Sequence, residues 1–350
     1  MYCDNCGMPR GVGKANVWKP NGVIVSKYEN DLRGVFVDAA ELNNLFTALS
    51  ERIGYDVSRL VIEGKRKDSE YYTRTLLKGI RESGSEPPGP EEFLRIMAAN
   101  YSVPGFGKVT ILDYRDGESV VLEMERVYSV PMAQGQAAGV FEGVVNRRGD
   151  VSWEGDAVYG RVTITSRNGG QLLEQRVESV VEMSESLVEI GDREYSLCPR
   201  CSIPQEFSSE FDWDVDEALI TENRSGHRYV FDNNRGIAAV MQLLIEELGE
   251  EIERIIVEIS REYARGYYRA LSEKITLDSE LSRFSLLGWG FLSPPEKIDG
   301  GYTIGVANPF YGPVVAGRAW GLMETLDGGD YNLGDISLED GVVRMELNQA

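Results

Sequence analysis

The chain has 350 residues, 42% of them hydrophobic, enough for two ordinary domains that each bury a core. Its formal net charge of -21 repels nucleic-acid phosphates and acidic membrane surfaces, which excludes a general nucleic-acid binder. No stretch reaches the roughly 18 uninterrupted apolar residues of a membrane span, and the start lacks the basic and apolar regions of a signal peptide, so a cytoplasmic protein with no membrane partner is expected.

The first predicted element is a β-hairpin over residues 16–37. A helix follows, with Leu42, Leu45, Phe46, Leu49 and Ile53 on one face and Gly54 as its stop. Val57, Leu60 and Val61 open a second helix, residues 83–90 read as a turn-rich loop, and residues 91–100 form a shorter helix. Strands are expected at 108–114 and 119–126, a helix from Pro131, and a strand at 158–165. In residues 168–197, Val177, Val180, Val181, Leu187, Val188 and Ile190 suggest further strands.

The same series then starts again. A hairpin is expected at 212–231, a helix with Ile237, Val240, Met241, Leu244, Ile245 and Leu248 on one face, and a second with Ile252, Ile255, Ile256, Ile259 and Tyr263. A short helix at 277–284, a strand at 302–307, a helix from Pro313 and a strand at 342–347 complete it. Shifted by 195 residues, the chain matches itself without a gap from Cys3 to Leu76: Cys3 falls on Cys198, Trp18 on Trp213, Phe36 on Phe231, and Arg66 on Arg261. At a shift of 183, Gly105-Phe106-Gly107 falls on Gly288-Trp289-Gly290. At 182, Gly135, Gly139 and Glu142 fall on Gly317, Gly321 and Glu324. The expected architecture is therefore α+β, two tandem pseudo-symmetric modules at 1–195 and 196–350, each with helices packed on an antiparallel sheet.

Each module begins with a C-x-x-C pair, Cys3 with Cys6 and Cys198 with Cys201. Two such pairs supply the four thiolates that tetrahedral zinc prefers, and in a reducing compartment they read as metal knuckles rather than disulfides. The gap between them is far longer than in a zinc ribbon, but modules packed about a pseudo-two-fold axis would bring the two knuckles together. A structural zinc is the expectation. Iron held by the same ligands, or a dithiol redox pair, stays open.

His227 is the only histidine, which excludes H-E-x-x-H chemistry, and its place after Asn223-Arg224-Ser225-Gly226 suggests a solvated turn. There is no phosphate loop; Gly11-Val12-Gly13-Lys14 is too short to count. Arg59, Glu63 and Arg66, with their counterparts Arg254, Glu258 and Arg261, read as an exposed ion-pair ladder, or as a polar contact between copies or with a protein partner. Phe106, Tyr128, Trp289, Phe310, Tyr311 and Trp320 flank the glycine-rich second half of each copy. They are core residues or the lining of an apolar ligand pocket.

Gly288-Trp289-Gly290, then Thr303-Ile304-Gly305-Val306-Ala307-Asn308-Pro309, then Gly317-x3-Gly321, resembles the 4-vinyl reductase domain family; Gly105-Phe106-Gly107, residues 121–126 and Gly135-x3-Gly139 fit it more loosely. The resemblance implies an α+β fold with a cavity between helices and sheet, in sensors or carriers of hydrocarbons, aromatics or tetrapyrrole-like compounds. Members often bind zinc through cysteines near their C-terminal strands. Residues 336–342 have none, so that site does not carry over. The functional expectation is a non-enzymatic protein that binds or senses an apolar or aromatic small molecule and carries a structural zinc. The alternatives are a structural or protein-interaction scaffold with filled cores, or an accessory factor of a tetrapyrrole or hydrocarbon pathway.

Overall fold

The computed structural model describes residues 2–28, 32–171 and 187–350. In chain order the first half holds α1 (Arg10–Ala15), β1 (Asn16–Trp18), β2 (Ile24–Ser26), β3 (Arg33–Asp38), α2 (Ala39–Ile53), α3 (Ser58–Glu82), α4 (Pro90–Asn100), β4 (Lys108–Arg115), β5 (Ser119–Glu125), α5 (Val130–Val145), β6 (Arg147–Gly155) and β7 (Tyr159–Gln171). The second half holds α6 (Gln205–Glu210), β8 (Phe211–Asp214), β9 (Leu219–Glu222), β10 (Arg228–Asn233), α7 (Asn234–Leu248), α8 (Glu251–Ala270), α9 (Leu277–Leu286), β11 (Phe291–Leu292), β12 (Glu296–Ile298), β13 (Gly301–Ala307), α10 (Gly312–Asp327), β14 (Tyr331–Glu339) and β15 (Val342–Gln349). The fold is mixed α+β with antiparallel sheets. Val177, Val180 and Val181 lie outside the described residues, and Leu187, Val188 and Ile190 are in no strand.

Local chemistry sets the element ends. The Asp38 carboxylate accepts from the Ala40 and Glu41 backbone N–H groups and starts α2; the Asn233 side chain accepts from Gly236 N and starts α7. Gly54 ends α2 in the left-handed conformation. The expected apolar faces are the buried faces of α2 and α7.

Among the described residues the strands form three sheets. The order β4-β5-β7-β6 belongs to the first half, and β11-β13-β15-β14 to the second, with β12 also on β13. The third sheet, β1-β2-β3-β10-β9-β8, draws strands from both sides of residue 195. The hairpin strands thus do not join the later strands of their own half. They meet each other through β3 and β10, in a register centred on Phe36↔Phe231. The physical reason is burial: Val35, Phe36, Val37 and Asp38 are buried, and an open β3 edge would leave their main chain unpaired.

The halves are also packed crosswise. α2 packs on α8 and α7 on α3. Phe36 N donates to Leu287 O, and Phe231 N to Pro104 O, each at 2.9 Å. The Trp18 indole donates to Leu286 O at 3.0 Å and the Trp213 indole to Val103 O at 2.8 Å. Each hairpin therefore docks on the glycine-aromatic-glycine corner of the opposite half. Within each half, a glycine stripe brings two helices close. A methyl group on Gly139 would lie 2.4 Å from Arg66 O in α3, and one on Gly321 would lie 2.7 Å from Arg261 O in α8.

Candidate metal centre and the buried polar sites

Two tight hairpins carry the cysteines. Tyr2 bridges Pro9 and Leu197 bridges Pro204. Cys3 N donates to Met8 O at 2.8 Å, and Cys198 N to Ile203 O at 2.9 Å. Each turn closes through a left-handed residue, Gly7 (φ 74°) and Ser202 (φ 65°). Gly13 of α1 lies so close that a methyl group there would meet Cys201 O at 2.1 Å. The glycine run set aside as a phosphate loop thus gives α1 its seat on the opposite knuckle.

The four Sγ atoms converge within 4.8 Å of one another. Cys3 and Cys198 Sγ are 3.8 Å apart, and Cys6 and Cys201 Sγ 3.4 Å. Four thiolates around one zinc at about 2.3 Å would have edges of about 3.8 Å, so little movement is needed to hold a metal. The set is buried apart from the half-buried Cys6. Backbone N–H groups of Asn5 and Cys6 hold the Cys3 thiol below its ordinary pKa. Burial alone would raise Cys198, but N–H groups of Arg200 and Cys201 outweigh it and bring the thiol to about 6. The Asn5 amide adds a bond to Cys198 Sγ at 3.4 Å. Burial pushes Cys6 and Cys201 the other way. One thiol of each knuckle is therefore shifted toward the thiolate, the form in which cysteine ligates metal.

The six aromatic residues do not form one site. Phe106 stacks on Tyr128 at 5.2 Å, and Tyr101 lies 5.4 Å away on the same ring. Trp289 packs edge-on against Phe284, donates from its indole to Phe36 O at 2.6 Å, and carries the Arg318 guanidinium 4.2 Å over its ring. Trp320 packs under Arg261 at 4.3 Å. Phe310 is buried and Tyr311 half-buried in the core. Of the six, Phe106 lines a cavity of about 510 Å³ between α3, α4, α5 and β10.

The charged residues keep part of the expected ladder, Arg66 with Glu63 at 3.1 Å and Arg254 with Glu258, but Arg66 and Arg261 also turn inward. Arg66 is 4% exposed and pairs with fully buried Glu142 of α5; Arg261 pairs with buried Glu324 of α10 at 2.5 Å. The contact is within a half, against the neighbouring helix. Glu142 and Glu324 each sit three residues after a close-packed glycine, on the face that meets that helix, and this spacing was a usable signal. Arg59 has no ion pair described, and exposed Arg254 reaches only half-buried Glu258, at 3.6 Å.

Sequence reasoning missed a set of buried polar pairs, some crossing between the halves (Lys65–Asp232, Arg318–Glu41, His227–Asp38) and some within the second half (Arg283 and Arg224 with their glutamates). Lys65 Nζ reaches Asp232 at 2.8 Å and Asp68 at 3.5 Å. Arg318 pairs with Glu41, whose carboxyl burial raises to about 7 despite that cation. Arg283 pairs with Glu210 and Glu222, and Arg224 with Glu280. His227 follows its turn as expected, but its ring is half-buried and tied down rather than free in solvent. Its Nδ1 is 2.7 Å from Asp38 Oδ2, to which the Tyr263 hydroxyl also donates at 2.8 Å.

Among the described residues no helix is long and apolar enough to cross a membrane. Comparisons with models of protein families, with curated proteins and with solved structures found no match.

Proposed function

We propose that the chain is a duplicated pair of modules clasped by one structural zinc, and that it binds a small apolar molecule without transforming it. The observation that carries the clasp is the buried convergence of four thiols, two from each half. The duplication is supported by the paired contacts. Phe36 and Phe231, Trp18 and Trp213, and Gly139 and Gly321 each make equivalent contacts at matched positions. On this reading the pseudo-two-fold axis runs through the Phe36–Phe231 pair, and the knuckles lie at 3–6 and 198–201.

Zinc suits a closed four-thiolate site with no open position for a substrate. Small-molecule binding draws on the resemblance to the 4-vinyl reductase domain family and on a cavity within the roughly 300–1,000 Å³ range of ligand pockets. Protein purified natively should carry one zinc per chain, with four thiols that react only after chelation. Zinc absent, or thiols reactive from the start, would overturn the clasp, and a red protein with one iron would replace zinc with iron. Solvent extraction with mass spectrometry should release an apolar compound; an empty extract from protein that also binds no probe would end the binding reading.

A further inference from the structure

The duplication lets the two halves be compared as sites, and they differ. In the first half, the cavity of about 510 Å³ is walled by apolar residues, including Leu76, Met97, Val140, Phe106 and Phe231. Shifted onto the second half, its lining residues become larger and charged. Gly34 is replaced by Tyr229, Met97 by Glu280, Asn100 by Arg283 and Gln136 by Arg318. These four fill the equivalent space. Arg283 packs over the Phe211 and Tyr229 rings and pairs with Glu210 and Glu222; Glu280 holds Arg224; Arg318 lies on Trp289. All four are buried. One site is thus plugged by side chains and its twin is open.

The open site also has a definite polarity. Its lining charges are all engaged: Lys65 is held between Asp232 and Asp68, Asp68 also pairs with Arg235 at 3.1 Å, and Arg33 donates to Asn308 O. An ionic ligand would have to displace a protein partner from one of these charges. Two buried polar atoms on the wall have no hydrogen-bond partner, the Gln136 amide oxygen and the Tyr101 hydroxyl. A carbonyl oxygen left in this state awaits a donor. Phe106, with Lys65 Nζ 5.9 Å from its ring centre, offers a flat aromatic face beside these groups.

We infer that this cavity is the ligand site, that it takes one uncharged, mostly apolar molecule presenting an N–H or O–H donor to Gln136, and that the second half binds none. The inference rests on the duplication and small-molecule readings above. It is distinct from them in placing one site in the first half and in excluding ions.

Three probes that differ by one group test it by fluorescence titration of the full chain. N-phenyl-1-naphthylamine is apolar and carries an N–H. Its N-methyl derivative lacks the donor, and 8-anilino-1-naphthalenesulfonate adds a negative charge. The expected result is one equivalent of N-phenyl-1-naphthylamine per chain. The N-methyl probe should bind about tenfold more weakly, the worth of one buried hydrogen bond, and the sulfonate at least as weakly. Gln136→Leu should erase the difference between the first two probes. Asn100→Trp, at an exposed helix end on the cavity mouth, should abolish binding, whereas Ser337→Trp in the separate groove between α8 and β14 should not. Circular dichroism on each variant establishes that it is folded. Two equivalents, equal binding of the sulfonate, or binding indifferent to Asn100→Trp overturns the inference while leaving a small-molecule binder. No binding by any probe overturns it too, and with an empty extract removes the binding reading as well.

Discussion

The helix seams give opposite predictions for two glycine-to-alanine changes. A methyl on Gly139 would stand 2.4 Å from Arg66 O, 2.7 Å from Ser69 Cβ and 2.8 Å from Glu70 N, two of them backbone atoms that no rotamer change moves. α5 and α3 must part by at least about 0.6 Å, and a gap of that order forfeits a quarter to a half of the contact energy along the seam. Overpacking of this kind costs about 1–3 kcal/mol, against which alanine returns about 1 kcal/mol of helix propensity. Gly139→Ala should therefore destabilise by up to about 2 kcal/mol. Gly266 in α8 has nothing within 4 Å of the same position, so Gly266→Ala keeps only the propensity term and should stabilise by about 0.5–1 kcal/mol. Urea unfolding followed by circular dichroism should place Gly139→Ala below Gly266→Ala by about 0.5–3 kcal/mol, with Gly266→Ala above the parent. Gly139→Ala as stable as Gly266→Ala would refute the close approach of the two helices.

Two further outcomes are accessible to the same measurements. Arg66→Met leaves buried Glu142 only the more distant Arg148 at 3.8 Å and should cost about 3–5 kcal/mol, whereas Arg254→Ala removes an exposed arginine at 3.6 Å from a glutamate that Arg52 still holds and should cost at most about 0.5 kcal/mol. Melting temperature against pH should bear the mark of His227, whose pKa is raised by its bond to Asp38 and by the Glu222 charge, against burial and Arg318. The stabilisation from this raised group is complete below its unfolded value of 6.5 and is lost as pH climbs through the higher folded value; Asp38, held low by His227, Arg318 and Tyr263 despite burial, loses its share only as pH falls below 3.8 through its folded value. His227→Gln should remove the decline above neutrality, and an unchanged profile would show that the Asp38 pair does not form.

What could be read in the sequence was whatever depends on local periodicity or on the 195-residue shift that aligns the two halves. The apolar stripes of α2 and α7, the glycine stops and the coming together of Cys3, Cys6, Cys198 and Cys201 all follow from spacing alone. The crosswise packing was not legible, because β3 meeting β10 is a contact of strands nearly 200 residues apart, and the same hairpin pattern would serve a sheet within its own half. Charge was misread for a related reason. Arg66 occupies the polar stripe of α3, and only the second layer, α5 with Gly139 and Glu142, turns that stripe inward. Lys65 looks like any surface lysine until Asp232 arrives from the other half.

The ion pairs that cross between the halves are not repeated at matched positions, and on the proposed duplication this asymmetry bears on why the two halves stay together. Lys65 meets Asp232, but the matched positions hold Ser260 and Val37; Arg318 meets Glu41, but the matched positions hold Gln136 and Gly236. If two first halves paired through β3 and a shared knuckle metal, each Lys65 would face Val37 with only Asp68 beside it. Two second halves would bury Arg318 opposite Gly236 with no carboxylate. Each mismatch leaves a buried charge short of its partner, at a cost of several kcal/mol, and each would occur twice. The symmetric contacts at Phe36, Phe231 and the cysteines favour any pairing of halves, and the unrepeated ion pairs select the mixed one. Co-expressed fragments 1–195 and 196–350 should accordingly assemble one to one around a single metal, while either fragment alone aggregates or forms a dimer that melts lower. Homodimers as stable as the mixed pair, by mass and by melting temperature, would show that the specificity lies elsewhere than in Lys65 and Arg318.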